Sequence, residues 1–401
     1  MSARKVLLIS QVFYPDEVAV ANLFTNLSSE LVKQGLEIVV WCAQPSYNYS
    51  DKQPKFRTYN GIKIQYLKST QFHKDKLSGR LINYMTFAIS VVTKLIFSKS
   101  KTQVISHTTP PFLAIVLAFI CNFKKRDFFY IIMDVFPDGL IRLKKVSDRN
   151  IFIRLWSLLH LAALKRCKKI IVIGRDMEEW LLGLYPGGIK KIVYIPLWQD
   201  EELIIPINFE DNLFVLNNNL QEHFVIQYSG NMGLWNEMDA IGEVVNTKHE
   251  GVLYVFIGGG MRKKELLESI DDSDAENVKF FPFQSNENYS LTVSACHVAI
   301  VSLRDEAKGM AVPSKIIGIM AAGIPVIALV PERSEIAYIV TEEQCGYVLN
   351  PSDSDGLVSA IIKLKSDEKL RKKMGQNGRE AFLKKYTSKI IAEKYMKLLE
   401  N

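Results

Sequence analysis

The chain is 401 residues long, 48% hydrophobic and 23% charged, with a formal net charge of +7. At roughly 150 residues per domain this length allows two or three domains with cores of their own, which excludes disulfide-held miniproteins, collagens and disordered chains. The net charge conceals an asymmetry: residues 1 to 195 hold 29 Lys and Arg against 13 Asp and Glu, and residues 196 to 401 hold 21 against 30.

Two domains of opposite sign follow, with a break near 195. A basic half rewards nucleic acid, anionic lipid or a phosphorylated substrate alike, and composition does not choose among them. The five cysteines, Cys42, Cys121, Cys167, Cys296 and Cys345, show no CxxC spacing. That pattern argues against a disulfide framework or a structural zinc site and for a reducing compartment.

Met1 to Ser10 carries a four-residue apolar run, Val6 to Ile9, which reads as a first strand and not as a secretory segment. A helix over 19–34 follows, then strands at Glu37 to Trp41 and Lys63 to Leu67 and a helix over 80–98. Strands at Val104 to Ser106, Phe128 to Ile132 and Ile170 to Ile173 continue the series, with a helix over 150–166 before the last. The second half repeats the rhythm at Phe224 to Gln227, Leu253 to Ile257, Val278 to Phe281, Val298 to Ser302, Pro325 to Leu329 and Tyr347 to Leu349.

Strands and helices alternating at this spacing mean parallel sheets with crossover helices, so the fold class is α/β with two doubly wound domains. Tyr194 to Asp200 and the asparagine-rich stretch through Asn219 read as a hinge and entry loop, and Gly378 to Asn401 as one charged helix with an apolar stripe. The expected domains are therefore 1–195, 196–377 and a C-terminal helix, 378–401. The longest apolar run, Phe112 to Cys121, has ten residues, and a spanning helix needs about 20, so no transmembrane helix is expected. Leu81 to Ser98 is apolar and followed by Lys99 and Lys101, with Lys124-Lys125-Arg126 and Lys144-Lys145 adding charge. Such a segment suits either an interfacial helix on anionic lipid or a core crossover helix with solvated loop charges.

In doubly wound domains the loops after the strands carry the chemistry. The strand ending at Ser302 leads into a loop with Gly309, after which Pro313 and Ser314 read as first-turn proline and capping serine of a helix closed by Gly323. Free amides at such a helix start, with Lys315 beside them, form an anion site; the alternative is a plain β-α-β unit with routine caps. Asp134 and Asp138 follow the strand ending at Ile132, placed either to face a crevice or to cap the next helix. His107, near a strand end, is the one histidine of six beside such a loop. Gly258-Gly259-Gly260 lacks the GxGxxG spacing, and GxxxxGK[ST], HExxH and GxSxG are absent. Asp272-Ser-Asp274 and Asp353-Ser-Asp355 imitate a DXD metal triplet, but the first reads as a solvated acidic loop and the second as a helix start.

The order and spacing of several segments resemble family 4 glycosyltransferases, in the branch found in bacterial capsule, O-antigen and colanic-acid clusters. They are "LLISQVFYPDEVAVANLFTNLSSEL" near the start, "TTPP" at 108–111, "MDVFPD" at 133–138, "YIPLWQD" at 194–200, "YSGNMG" at 228–233, "FIGGG" at 256–260, "FFPFQSNENY" at 280–289 and "VPSKIIGIMAAGIPVIA" at 312–328. The resemblance implies the GT-B architecture: two Rossmann-like parallel-sheet domains facing across a cleft, with the C-terminal helix returning to the first. The second domain is then expected to bind a nucleotide-sugar donor through Gly230, Asn231, Gly233, Phe283, Gln284, Gly309, Met310, Ala311, Pro313 and Ser314. The first would take the acceptor beside Pro15, Asp16, His107, Thr108 and Thr109, with Asp134, Asp138, Glu17, Arg304 and Lys315 carrying catalysis.

The implied activity is retaining transfer of a sugar, UDP-linked and N-acetylated or deoxy, from a nucleotide diphosphate to a polyprenyl-diphosphate-linked saccharide. No metal or other cofactor and no nucleic acid are expected. The expected location is the inner face of the bacterial cytoplasmic membrane, as a peripheral protein on an anionic surface. A sugar-nucleotide epimerase of the same fold and an inactive scaffold are the rival readings. The chain also departs from the family pattern. Val18 to Ala21 stand where relatives keep a glycine pair, Met133 stands for a histidine, Asn231 and Asn236 for an arginine and a lysine, and Met310 and Gly318 for two glutamates.

Overall fold

The structure, a computed structural model, describes residues 4–46, 52–72, 77–247, 249–271 and 276–400. It divides into unit 1, Met1–Pro196 with Ser388–Asn401, and unit 2, Leu197–Thr387.

Unit 1 is built on β1 (Lys5–Ile9), β2 (Glu37–Ala43), β3 (Phe56–Tyr59), β4 (Ile62–Leu67), β5 (Gln103–His107), β6 (Phe128–Ile132), β7 (Lys169–Val172) and β8 (Ile192–Tyr194). The sheet order is β3-β4-β2-β1-β5-β6-β7-β8. Its central strands are buried along their length, as in β6 and β1, because crossover helices cover both faces. β3 was not expected; it pairs antiparallel with β4. Asn60-Gly61 between them have φ of 47° and 76°, the two left-handed residues that a tight two-residue hairpin needs.

The helix Leu77–Phe97 buries Asn83, Phe87, Val91 and Leu95, one face at a spacing of four. Its outer face stays exposed, so the 81–98 stretch is a crossover helix with one face in the core and the other open. By length and composition Ser78–Phe97 matches a membrane-crossing helix, yet its inner face belongs to the core of unit 1.

Unit 2 is built on β9 (Phe224–Asn231), β10 (Val252–Gly259), β11 (Val278–Phe281), β12 (Val298–Ser302), β13 (Val326–Leu329) and β14 (Gly346–Leu349). The order β11-β10-β9-β12-β13-β14 is all parallel and reverses between β9 and β12, which is the switch point of a dinucleotide-binding sheet. Its core joins Ile226, Tyr254, Phe256, Ile300, Ile327 and Ile361.

Two expectations change. The segment after Asp200 is not an open entry loop: Asn212 is fully buried, caps the helix Leu213–Asn217 through Phe214 N–H at 2.9 Å and donates to Leu291 O at 2.8 Å. Gly378 to Asn401 is not one helix. Glu368–Lys385 belongs to unit 2 and Ser388–Glu400 to unit 1. The break falls where Tyr386 O accepts Gln199 N–H at 3.1 Å and Thr387 bridges Gln199 as a strand would, which no helical residue can do. Ser388–Glu400 packs on Ala19–Lys33, and Leu399 O accepts from Arg4 and Gln103.

Candidate active site

In unit 2, β9 pairs with β12 only at Ile226 and Gln227, while it stays paired with β10 out to Asn231. The strands part beyond Gln227, and just past that point the side chain of Lys315 meets Tyr228. Tyr228 is buried, and its hydroxyl donates to Asn231 O at 3.1 Å. Lys315, first residue of the helix Lys315–Ala321, lays its ammonium 3.4 Å from the centre of the Tyr228 ring. A β-carbon on Gly230 would stand 3.4 Å from Lys315 Cε and 3.6 Å from Nζ, so this glycine leaves the room in which the ammonium lies. The ammonium is hidden from solvent with no hydrogen-bond partner, and burial pushes its pKa well below the ordinary lysine value. The ring face offsets part of that cost, but a buried cation without a counter-ion is an anion receptor in waiting.

The loop around the cation is held by neutral groups. Asn236 accepts from Gly233 N–H at 2.9 Å and donates to Ser302 O at 3.0 Å, so it ties the ends of β9 and β12 together. Arg262 is spent on structure, bonding Glu265, Asp239 and Asn236 O at 2.7, 2.6 and 2.9 Å. Arg304 is one-third exposed and only loosely paired, 4.0 Å from Glu237 and 3.7 Å from Glu306. Burial raises the Glu237 carboxyl above its usual range. Asn231 is exposed, and its side chain lies over Gly233 and Gly260.

Gly258, passed over for lacking a known spacing, proves essential to the geometry. Its φ is +128°, and a β-carbon there would meet Gly230 O at 2.3 Å. Gly258→Ala is expected to destabilise unit 2 by about 2 kcal/mol or more through strain and clash; an unchanged melting temperature would refute the close approach. The exposed ring of Phe283 rests on Gly258 and Gly259, while Gln284 turns its amide back onto Pro282 O at 2.9 Å.

Two of the amides expected to form a cradle are used within the loop itself. The amides of Met310 and Ala311 both point at Ala307 O, at 2.9 and 3.4 Å, closing a turn, and both residues are buried. Gly309 takes φ +73° in that turn. Pro313 is half-buried, and Ser314 stands at the N-cap with helical φ and ψ, so its hydroxyl makes no cap bond. Gly318 lies against the hydroxyl of Tyr289, whose pKa burial pushes up to about 12. Asp353 is committed as a helix cap, accepting Gly356 N–H at 2.8 Å, and Asp272 and Asp274 lie outside the described residues. Among the described residues no three metal-ligating side chains converge.

In unit 1 the sheet reverses between β1 and β5. His107 at the end of β5 is fully buried, stacked on Phe24 at 4.6 Å, and burial lowers its pKa to about 3. Its Nδ1 accepts Thr109 N–H at 3.3 Å, which assigns the proton to Nε2. Nε2 then donates to Ser10 Oγ at 2.8 Å, and Ser10 donates to Val12 O at 2.6 Å. Thr108, also buried, accepts from Met133 N–H at 2.8 Å and donates to Ile131 O at 3.3 Å. Asp16 is buried and accepts Ser46 N–H at 3.0 Å. These three side chains hold the strand ends in place and do not line an acceptor surface. Pro15 and Thr109 are half-buried, and Glu17 is exposed.

Asp134 and Asp138 keep the positions expected after β6. Burial raises the Asp134 carboxyl to about 6. Asp138 opens the short helix Asp138–Arg142 without a side-chain cap bond from Pro137 before it, and burial raises its carboxyl against the pull of its own amide and Arg142. A small recess at the ends of β1, β2 and β4 is lined by Gln11, Ser69, Arg80 and Tyr84 among others. The Tyr84 phenol, raised by burial, feels both the Arg80 and Asp134 charges. Nothing in the spacing of these residues singled them out, because they come together only through the fold.

Two doubly wound units, the second with its switch point between β9 and β12, are the architecture of the GT-B fold. Residues 211–381, within unit 2, match the family described as glycosyl transferases group 1. It is 26% identical over 302 residues to a probable glycosyltransferase, WbjE, of Pseudomonas aeruginosa, covering 74% of each chain. It is also 26% identical over 169 residues to the lipopolysaccharide core biosynthesis glycosyltransferase LpsD of Rhizobium meliloti, covering 40% of this chain and 43% of that one. Among solved structures, Anabaena HepE in complex with UDP-glucose superposes with a TM-score of 0.72 at 14% identity, over 99% of both chains.

Proposed function

We propose that the chain moves a sugar from a nucleoside diphosphate, UDP in the first instance, to a hydroxyl of a polyprenyl-diphosphate-linked saccharide during assembly of a bacterial surface polysaccharide. The observation that carries this reading is the buried, unpartnered Lys315 ammonium on Tyr228 and Gly230. A diphosphate entering there supplies the missing counter-ion, and Arg304, loosely paired, adds the second charge. The structure of HepE with UDP-glucose and the name of LpsD support the donor class and the pathway.

Transfer proceeds with retention. The leaving diphosphate, its developing charge met by Lys315 and Arg304, takes the proton of the attacking hydroxyl, so electrostatic stabilisation supplies most of the rate. Asp134, ionised above pH about 6, accepts a hydrogen bond from a reacting hydroxyl and orients it. The recess of Gln11, Ser69, Arg80 and Tyr84 takes acceptor sugar hydroxyls. The protein works on the inner face of the cytoplasmic membrane, where its basic first half meets anionic lipid.

No metal takes part, since fixed cations and not a bridging ion meet the diphosphate; turnover is expected to be unchanged by EDTA, and loss restored by magnesium or manganese would contradict this. The test of the function is product analysis with UDP-sugars, with and without a polyprenyl-diphosphate saccharide. Acceptor-dependent release of UDP with a lengthened saccharide supports transfer. An epimerised nucleotide sugar formed without acceptor, or no turnover of any nucleotide sugar, overturns it.

A further inference from the structure

We propose that unit 1 lies on an anionic bilayer through a platform of three neighbouring helices, Leu77–Phe97, Leu113–Phe123 and Ile151–Arg166, with Ile151–Arg166 inserted deepest; this rests on the membrane reading above and deepens it.

The three helices pack side by side. Lys124 bonds Ile96 O, and Arg166 lies over the Phe119 ring at 4.4 Å, so the layer is continuous. Its outer surface is apolar. Met85 and Ile89 are exposed on the first helix, Phe123 is 86% exposed on the second, and Phe152, Leu155 and Leu158 are exposed on the third, Phe152 at 77%. Single exposed apolar residues are ordinary, but an adjoining set across three helices marks an interaction surface. On Ile151–Arg166 the exposed residues recur at positions 151, 152, 155, 158 and 159, a stripe along nearly the whole helix, while its buried residues are fewer. That helix therefore has the most to gain from an apolar medium.

Charge selects the occupant. From Leu77 to Arg126 the sequence has no Asp or Glu, and neither does Ile151–Arg166. Each helix ends in cations: Lys99 and Lys101 after the first, Lys124 and Lys125 after the second, Lys165 and Arg166 at the third. The helices all return from the carboxyl to the amino ends of parallel strands, so these cations gather along one edge of the platform. A second copy of the chain would set this basic face against itself, which like charges oppose. An anionic lipid surface satisfies both the apolar stripes and the cations, and the helices then lie in the interface plane. Asn83, Phe87, Val91 and Leu95, held in the core, prevent Leu77–Phe97 from crossing the membrane. Its first turns line the recess with Arg80, Asn83 and Tyr84 while its outer face meets lipid, so one helix brings the recess to the level where a lipid-linked saccharide is anchored.

The test is co-sedimentation of the full chain with vesicles of phosphatidylcholine alone, or of phosphatidylcholine and phosphatidylglycerol in equal parts. The parent is expected to bind the anionic vesicles and to weaken as salt rises. Phe152→Glu with Leu155→Glu should weaken binding about tenfold or more, and Met85→Glu with Ile89→Glu by less. A circular dichroism spectrum and a melting temperature like the parent's report that each variant is folded, and Leu155→Ser with Leu158→Ser serves if the double glutamate is not. Binding by the parent that the 152/155 and 155/158 variants both retain in full overturns the platform but leaves the membrane reading standing. No binding of the parent to either vesicle overturns both. A dimer in solution that the same substitutions dissociate, without vesicle binding, assigns the face to a second copy and overturns the proposal.

Discussion

Lys315→Met is expected to weaken UDP binding about tenfold or more and, in the same variant, to raise the melting temperature of the free protein. Both effects come from one atom. Charge-assisted bonds to phosphate contribute roughly 1.5–3 kcal/mol each, so losing the ammonium lowers affinity by an order of magnitude and turnover further, because charge grows on the diphosphate as it leaves. In the free protein the ammonium is buried against Tyr228 with no hydrogen-bond partner. A methionine of similar reach removes the desolvation cost, a gain of about 1–3 kcal/mol. The pH dependence carries the sign. Because burial lowers the Lys315 pKa in the folded state, the penalty is fully present below that lowered value and is relieved as pH rises from it toward the unfolded value near 10.5. The parent therefore gains stability over that window relative to Lys315→Met. Arg304→Ala should cost less affinity, since Arg304 is one-third exposed and shared with Glu237 and Glu306. A Lys315→Met protein that is less stable than the parent would show the ammonium to be a structural tie.

Asp134→Asn is expected to cut turnover about a hundredfold or more while stabilising unit 1. Burial raises the folded-state pKa from 3.8 to about 6, so the folded carboxyl binds more protons than the unfolded one between those values. Stability from this group accordingly falls as pH rises from 3.8 through 6 and stays lower above. Asparagine keeps the shape without the charge, and above pH 6 it should gain about 1–3 kcal/mol. Unfolding curves of the two proteins should converge near pH 4 and separate by pH 7. His107, held neutral with a pKa lowered to about 3, acts in the opposite sense and is common to both proteins, so it cancels in the comparison. Equal turnover in parent and variant would remove Asp134 from the chemistry. A carboxylate kept in a place that disfavours it is otherwise hard to explain by stability.

The strand-helix rhythm of both units was readable because parallel strands buried on both faces are continuous apolar runs: β6 and β12 fall on the expected residues. β3 escaped because its alternating residues are half exposed, though Asn60-Gly61 announced its turn. Lys315 and Gly230 were legible as a loop and a helix start, but not as neighbours. Their approach depends on β9 and β12 parting after Gln227, which is a property of sheet register and leaves no mark on spacing. The helix start misled in the other direction. Met310 and Ala311 have amides on the right side of the loop, but a turn to Ala307 O consumes them. His107 and Thr108 looked like acceptor contacts for a related reason: polar residues at strand ends serve equally to tie those ends together, and only burial separates the two roles. Gly258 carried no recognisable fingerprint, because what it permits is the approach of another strand and not of a local turn.

The central claim is that the Lys315 ammonium is the counter-ion awaiting the donor diphosphate, and titration calorimetry with UDP in two buffers of different ionisation enthalpy tests it most directly. The account predicts that the parent takes up protons on binding, increasingly as pH rises past the lowered Lys315 value, because the diphosphate restores the charge that burial disfavours. Lys315→Met should bind about tenfold or more weakly with no such uptake. UDP binding by Lys315→Met with the parent's affinity and the parent's proton balance would contradict it.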